Sequence, residues 1–96
     1  MPILDNRTFQ KLLRTLADAD NWNAAKRQPT EEWVNNIIQT SKKMIVLFNM
    51  PLSEIKQQIG AQIYFVTVTK GGKFLNPQEQ KTVVDFVDSI IDRIKS

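Results

Sequence analysis

The sequence predicts an all-α fold, built as an antiparallel up-down four-helix bundle. Apolar residues recur at steps of three and four through four segments of the chain. Residues that cap helices precede these segments, and short breaks containing Gly, Pro or Asn separate them. The helices are expected at about residues 6–19, 30–48, 52–70 and 77–94, in a single helical domain that covers residues 1–96.

The first helix is predicted from one apolar face whose members are spaced i, i+3, i+4 and i+7. That face consists of Phe9, Leu12, Leu13 and Leu16. Asp5 or Asn6 is expected to cap the start of the helix. A loop follows at about residues 21–29, and its Trp22 is expected to cover the edge of the core. The alternative for Trp22 is an exposed contact with a partner.

The second helix is predicted to start at Thr30, a residue type that caps helices, with Glu31 and Glu32 in the positive first turn. Its apolar stripe is Trp33, Ile37, Met44 and Phe48, widened by Val34, Ile38, Ile45 and Leu47. Because so much of its circumference is apolar, this helix is expected to lie between others.

The third and fourth helices are predicted to fold back on each other around Gly71-Gly72. The third helix has an apolar stripe at Leu52, Ile55, Ile59, Ile63 and Val66, and the fourth at Val83, Phe86, Val87, Ile90, Ile91 and Ile94. Gly71 is expected to take the left-handed conformation that ends the third helix. Asn76, Pro77 and Glu79 together are typical of a capping box at the start of a helix.

Residues 63–69 are rich in β-branched and aromatic types, so a β-hairpin with its turn at Gly71-Gly72 is an alternative to the third helix. The helix is favoured because the stripe continues unbroken from Leu52 to Val66. No second alternating strand follows Lys73.

The composition argues against an enzyme. The chain has no cysteine and no histidine, which removes thiol nucleophiles, disulfides and the commonest general base and metal ligand. Asp85, Asp88 and Asp92 share one helix face, an arrangement that is more typical of a solvated surface than of a metal site. No catalytic residue, metal or cofactor is expected.

The charge and hydropathy pattern limits the partners. A net charge of +3 permits an anionic membrane surface or a nucleic acid as partner and requires neither. No apolar run approaches the roughly 20 residues that a membrane-spanning helix needs. The N-terminal residues lack the layout of a signal peptide, so the protein is expected to remain in the cytoplasm.

Residues 51–90 also carry a family resemblance. The matching positions lie in the third helix, in the link after it and in the fourth helix. They are Pro51, Leu52, Tyr64, Phe65, Thr69, Phe74 and Gln80. In this segment the chain resembles the C-terminal half of immunity proteins for pediocin-like (class IIa) bacteriocins, most closely the enterocin A immunity type. The residues before it agree with that family in length and helical character only.

The resemblance implies a small basic four-helix bundle in the cytoplasm that protects a Gram-positive bacteriocin producer against its own peptide. It implies action at the membrane mannose phosphotransferase permease, or at the complex of that permease with the bacteriocin. The C-terminal half is implied to set which bacteriocin is recognised. A monomer without nucleic-acid partners is expected, with a peripheral contact to the anionic inner face of the membrane.

Eight residues are candidates for the surface that contacts the partner and sets specificity. Most are cationic, and they are expected to cluster near the turn between the last two helices and near the C-terminus. They are Lys70, Gly71, Gly72, Lys73, Phe74, Lys81, Arg93 and Lys95. Tyr64 and Phe65 are adjacent on a helix, so at least one of them is expected to be partly exposed.

Two alternatives belong to other functional classes. The spacing of Leu52, Gly60, Ala61 and Val66 fits a helix-turn-helix DNA binder with a recognition helix from Gln62. That helix would offer few donors to base edges and no arginine to phosphates. The other alternative is a helical adaptor that binds an unknown protein, a role that small bundles often have.

Overall fold

The computed structural model describes residues 6–96. Within this range it has four α-helices and one small sheet: α1 (Asn6–Arg14), β1 (Trp22–Asn23), β2 (Gln28–Pro29), α2 (Glu31–Phe48), α3 (Leu52–Gly71) and α4 (Pro77–Lys95). The structure is therefore mostly helical, with a two-stranded sheet that the sequence did not predict. Asp5, one of the two expected caps of the first helix, lies outside the described residues.

The first helix is shorter than predicted, because its α-helical part ends at Arg14 and not near residue 19. Two 3-10 turns follow, at Thr15–Ala17 and Ala19–Asn21. Thr15 Oγ1 donates a hydrogen bond to the Leu12 carbonyl at 2.6 Å, and Asn21 Nδ2 donates to the Thr15 carbonyl at 2.9 Å. In a longer helix these two carbonyls would accept hydrogen bonds from backbone N–H groups. The side chains of Thr15 and Asn21 compete for the same carbonyls and so oppose the helix.

The predicted loop contains a short antiparallel hairpin, in which Trp22 pairs with Pro29 and Asn23 with Gln28. Asn23 Oδ1 accepts a hydrogen bond from the backbone N–H of Lys26 at 3.1 Å and closes the turn. The indole of Trp22 is buried in the core. The expectation that Trp22 covers the core edge is confirmed, and the alternative of an exposed contact is wrong.

Helix α2 starts as predicted, since the backbone N–H of Trp33 donates to Thr30 Oγ1 at 3.2 Å. It ends at Asn49, whose φ of 53° is left-handed. The predicted stripe is wrong in the last turn, where its members Leu47 and Phe48 are 62% and 43% exposed, beside Val46 at 80%. The buried residues of α2 end at Met44, so the core covers this last turn only in part.

Helix α3 includes residues 63–69, so the β-hairpin alternative for this stretch is wrong. The left-handed residue that ends α3 is Gly72, with φ of 69°, one residue later than predicted. The capping box of α4 is present, with Asn76 Oδ1 accepting from the Glu79 N–H at 2.8 Å and Glu79 Oε1 from the Asn76 N–H at 3.1 Å.

The helices enclose one continuous apolar core. Helix α4 packs along α3 and also against α2, while α1 packs against α2 and α3. The core side chains are Phe9, Leu13, Leu16, Trp22, Trp33, Val34, Ile37, Ile38, Met44, Ile55, Ile59, Ile63, Val66, Val87, Ile90, Ile91 and Ile94. The molecule is elongated, with extents of 40 × 24 × 19 Å, so it has two distinct ends.

Candidate functional site

The end of α3 and the turn that follows it hold five of the eight predicted partner-contact residues, here named the turn surface. They are Lys70, Gly71, Gly72, Lys73 and Phe74. Gly72 closes α3, with its N–H donating to the Val68 carbonyl at 2.9 Å. Leu75 is buried, and its carbonyl accepts from Gln80 Nε2 at 3.0 Å. With both sides of the turn fixed, Phe74 stands 85% exposed between them.

The other three predicted residues do not join the turn surface. Lys81 lies in the second turn of α4, whereas Arg93 and Lys95 lie in its last turn. Lys81 and Arg93 are separated by about 18 Å along the helix, at about 1.5 Å per residue. Arg93 is also engaged with α2, since its guanidinium lies 2.8 Å from Glu31 and 2.7 Å from Asn35 Oδ1. The eight residues therefore form two groups, one near each end of α4.

Lys81 is held in an ion pair on the surface of α4. Its Nζ donates to Asp85 Oδ2 at 2.9 Å, and this hydrogen bond, together with the attraction of the carboxylate, raises the pKa of Lys81. The pair therefore favours the charged form of Lys81. Because the pair is exposed, its contribution to folding is small.

Arg27 lies at the same end of the molecule as the turn surface, and the sequence did not predict this position. Its Nη2 lies 3.6 Å from Glu79 Oε2. The same atom would lie 3.0 Å from a Cβ placed on Gly71, so the guanidinium passes directly over the end of α3. No local pattern signals this contact, because the hairpin places residue 27 beside residues distant in sequence.

A cavity of about 350 Å³ separates the hairpin from the end of α3. Its lining combines small and aromatic side chains with two cations: Ala19, Trp22, Ala24, Arg27, Thr67, Lys70 and Gly71. Lys73 follows on the turn surface, and Glu79 is the acidic partner of Arg27. This end of the molecule therefore presents excess positive charge to a partner, which favours an acidic one.

A second concave feature runs between α3 and α4, with a volume of about 430 Å³. Its floor is open because residue 60 is glycine, and a Cβ there would lie 3.8 Å from Val87 Cγ1, an ordinary contact distance. Tyr64 and Val84 stand at its edges. The ion pair between Lys56 Nζ and Asp88 Oδ1, at 2.9 Å, joins the two helices beside it.

The described residues show no arrangement that would bind a metal. Between residues 6 and 96, no three or more His, Cys, Asp or Glu side chains converge as ligands. In the acidic row of α4, Asp85 pairs with Lys81 and Asp88 with Lys56. Their carboxylates are thus engaged in surface ion pairs.

Helix α3 has no break at Gly60 or Ala61. The helix-turn-helix alternative requires two short helices about a turn at this point, so it lacks its defining element. Across residues 6–96, none of the helices combines the length and the apolar character needed to cross a bilayer.

Comparison with known proteins returned no family model, no curated protein and no solved structure that matches this chain. The resemblance of residues 51–90 therefore remains an expectation from sequence, and the function that it implies is a proposal.

Proposed function

We propose that this chain is a cytoplasmic immunity protein that protects a Gram-positive bacteriocin producer against a pediocin-like (class IIa) bacteriocin. It acts at the mannose phosphotransferase permease that the peptide targets, or at the complex of the two. It is not an enzyme and needs no cofactor. The resemblance of residues 51–90 to the enterocin A immunity type supports this function.

One structural observation carries the proposal. Three of the four aromatic residues of the resembling segment stay outside the core, with Tyr64, Phe65 and Phe74 38%, 61% and 85% exposed. The fourth, Phe86, packs against the core. Large apolar side chains add nothing to folding when they are exposed, whereas they dominate the energetics of protein interfaces. Their exposure is accounted for if α3, α4 and the turn between them bind a partner.

The proposal includes the finer architecture expected from sequence, an antiparallel up-down bundle. The connections after α2 and α3 are short, which favours antiparallel helices. The ion pair from Lys56 in the first half of α3 to Asp88 in the second half of α4 fits an antiparallel pair. The main neighbour of α2 is α4 and not α3, which gives the bundle its particular order.

The turn surface supplies the recognition. Lys70 and Lys73, with Arg27 beside them, attract an acidic cytoplasmic loop of the permease. Phe74 provides the apolar contact at its centre. Nothing lies within 4 Å of the position that a Cβ would take on Gly72, so a partner can approach the backbone closely there, whereas the Arg27 guanidinium covers Gly71.

The test is resistance in a sensitive Gram-positive strain that expresses the chain. We expect the inhibitory concentration of one or a few class IIa bacteriocins to rise, with the others unaffected. Phe74→Ser and the double change Lys70→Ser with Lys73→Ser should each abolish most of this protection. Lys11→Ser is the matched control, since Lys11 is an exposed lysine on α1, outside the resembling segment.

A chimera tests the same assignment by region. Residues 51–96, placed behind the first two helices of another immunity protein, should carry over the spectrum of this chain. If the spectrum followed the first two helices instead, the turn surface would be the wrong site. If the inhibitory concentration of no class IIa bacteriocin rose, the proposed function would be wrong, and a helical adaptor would be the better proposal.

A further inference from the structure

The last turn of α2 forms an exposed apolar tip of three consecutive residues, Val46, Leu47 and Phe48, here named the α2 tip. Successive residues on a helix point about 100° apart, so these side chains face three directions. Folding leaves Val46 80%, Leu47 62% and Phe48 43% exposed at the corner where the chain turns from α2 into α3.

The tip projects beyond the helix that covers α2. Near the start of α2, Glu31 and Asn35 contact Arg93 of α4. Further along, Lys42 Nζ donates to the carbonyl of Ser96, the last residue, at 3.4 Å. Helix α4 thus ends beside Lys42, and α2 continues past it. The tip is a convex feature, since its side chains are exposed around the end of a helix.

Positive charge lies directly behind the tip. Lys42 and Lys43 are four residues before Val46 and Leu47, one helical turn away on the same sides of the helix. Lys95 is exposed next to Ser96, which Lys42 contacts. The chain has no Asp or Glu between Glu32 and Glu54. The acidic residues that flank this region are Glu54, in the first turn of α3, and Asp92, one turn before Ser96 on α4.

We propose that the α2 tip inserts into the interface of an anionic lipid bilayer and holds the protein at a membrane surface. This inference goes beyond the proposed function and stands without it. The three apolar side chains enter the boundary between headgroups and acyl chains, a region that interfacial helices penetrate by about 5–10 Å. One turn behind, at about 5.4 Å, the lysine ammonium groups reach the level of the lipid phosphates.

The shape of the tip selects lipid over a folded protein as the partner. A protein interface that covered side chains facing three directions would need a socket around the helix end, whereas a fluid bilayer closes around any convex apolar shape. The lysines add attraction to anionic headgroups, and the absence of acidic residues along this part of α2 avoids repulsion from them.

Cosedimentation with lipid vesicles tests the inference on the full chain. We expect binding to vesicles that contain phosphatidylglycerol, weaker binding to vesicles of phosphatidylcholine alone, and loss of binding as the salt concentration rises. The triple variant Val46→Ser, Leu47→Ser, Phe48→Ser should bind at least about tenfold more weakly, because the apolar area available for insertion is removed. Lys42→Gln with Lys43→Gln should lower binding to the anionic vesicles about tenfold.

Val84→Ser is the matched control, since Val84 is an exposed apolar residue on α4, away from the tip. It should bind vesicles as the unchanged protein does. Equal binding by the triple variant, or equal binding to both kinds of vesicle, would overturn the inference. So would a dimer, measured by analytical ultracentrifugation, that the triple variant abolishes while vesicle binding is absent. Circular dichroism of each variant establishes that the fold is retained.

Discussion

The two ends of the molecule expose apolar side chains in different settings. At one end, Phe74 is a single aromatic on a turn fixed by Gly72, by the buried Leu75 and by the capping box of α4. At the other end, the α2 tip exposes three consecutive apolar residues around a helix end. The first end also carries an ion pair across elements, between Arg27 and Glu79, whereas the second carries lysines without acidic partners in α2.

This difference shows that exposed apolar area alone does not define a partner. A rigid turn with one aromatic and cations at fixed places suits a partner that has its own fixed shape. A convex tip that faces several directions suits a medium without fixed shape. The charges and the scaffold around an apolar residue therefore carry more information than its exposure, and the two ends of this chain can be tested separately.

The largest expected effect comes from the core that both ends share. Ile59 and Ile90 are fully buried in α3 and α4. Replacing either by Ala should lower the free energy of unfolding by about 2–4 kcal/mol, because the methyl groups lost leave a cavity. Urea denaturation followed by circular dichroism measures this change.

Both ends should lose function together in these core variants, which makes them the reference for changes that affect one end only. A loss of stability below about 1 kcal/mol at Ile59 or Ile90 would show that the wrong helix faces have been placed inside.

Changes to the helix caps of α4 and α2 test the stability of the turn end separately from that of the rest of the fold. Asn76→Ala should cost about 1 kcal/mol of stability, because the Glu79 N–H loses its acceptor. Thr30→Ala is the matched control, with a similar expected loss at the start of α2. Amide hydrogen exchange should increase in the first turn of α4 for Asn76→Ala alone. Equal exchange there in both variants would mean that the cap does not hold the turn surface.

Much of the regular structure follows from local sequence signals. The stripes of α3 and α4, the cap at Thr30 and the capping box at Asn76 each depend on residues within one or two turns. Short-range spacing is sufficient to place such elements. The region before α2 was predicted less well, because the hydrogen bonds of Thr15 and Asn21 replace a helical turn without a distinctive pattern.

The site was predictable only in part, for a related reason. The turn surface is contiguous in sequence, so the Gly71-Gly72 break located it. The contact of Arg27 with Glu79 and the position of Arg93 against α2 depend on how distant elements pack. Leu47 and Phe48 of the α2 tip were expected in the core because they continue an apolar pattern, and periodicity does not reveal where the neighbouring helices end.

The groove between α3 and α4 gives a stabilising prediction. Gly60→Ala should raise the free energy of unfolding by about 0.5–1 kcal/mol, since alanine favours the helix and its Cβ has ordinary contact distance to Val87. Protection by the turn surface and vesicle binding by the α2 tip should both stay unchanged. Thermal denaturation measures the gain, and a destabilised Gly60→Ala would mean that α3 and α4 lie closer together than this geometry has them.

The smallest expected effect on stability concerns Arg27, which links the hairpin to the turn end. Its contact with Glu79 is 3.6 Å long, and the two side chains are 50% and 24% exposed, so solvent screens their attraction. Arg27→Gln should therefore change the free energy of unfolding by less than about 1 kcal/mol. Protection against the bacteriocin should nevertheless fall, because a cation next to Lys70 is lost from the proposed contact surface.

Lys26→Gln is the matched control, which removes the same charge from the neighbouring residue. If Arg27→Gln lowered stability by several kcal/mol, the pair would be a structural link and not part of a contact surface. If both variants protected equally well, the turn end would owe nothing specific to Arg27, and its recognition would rest on Lys70, Lys73 and Phe74.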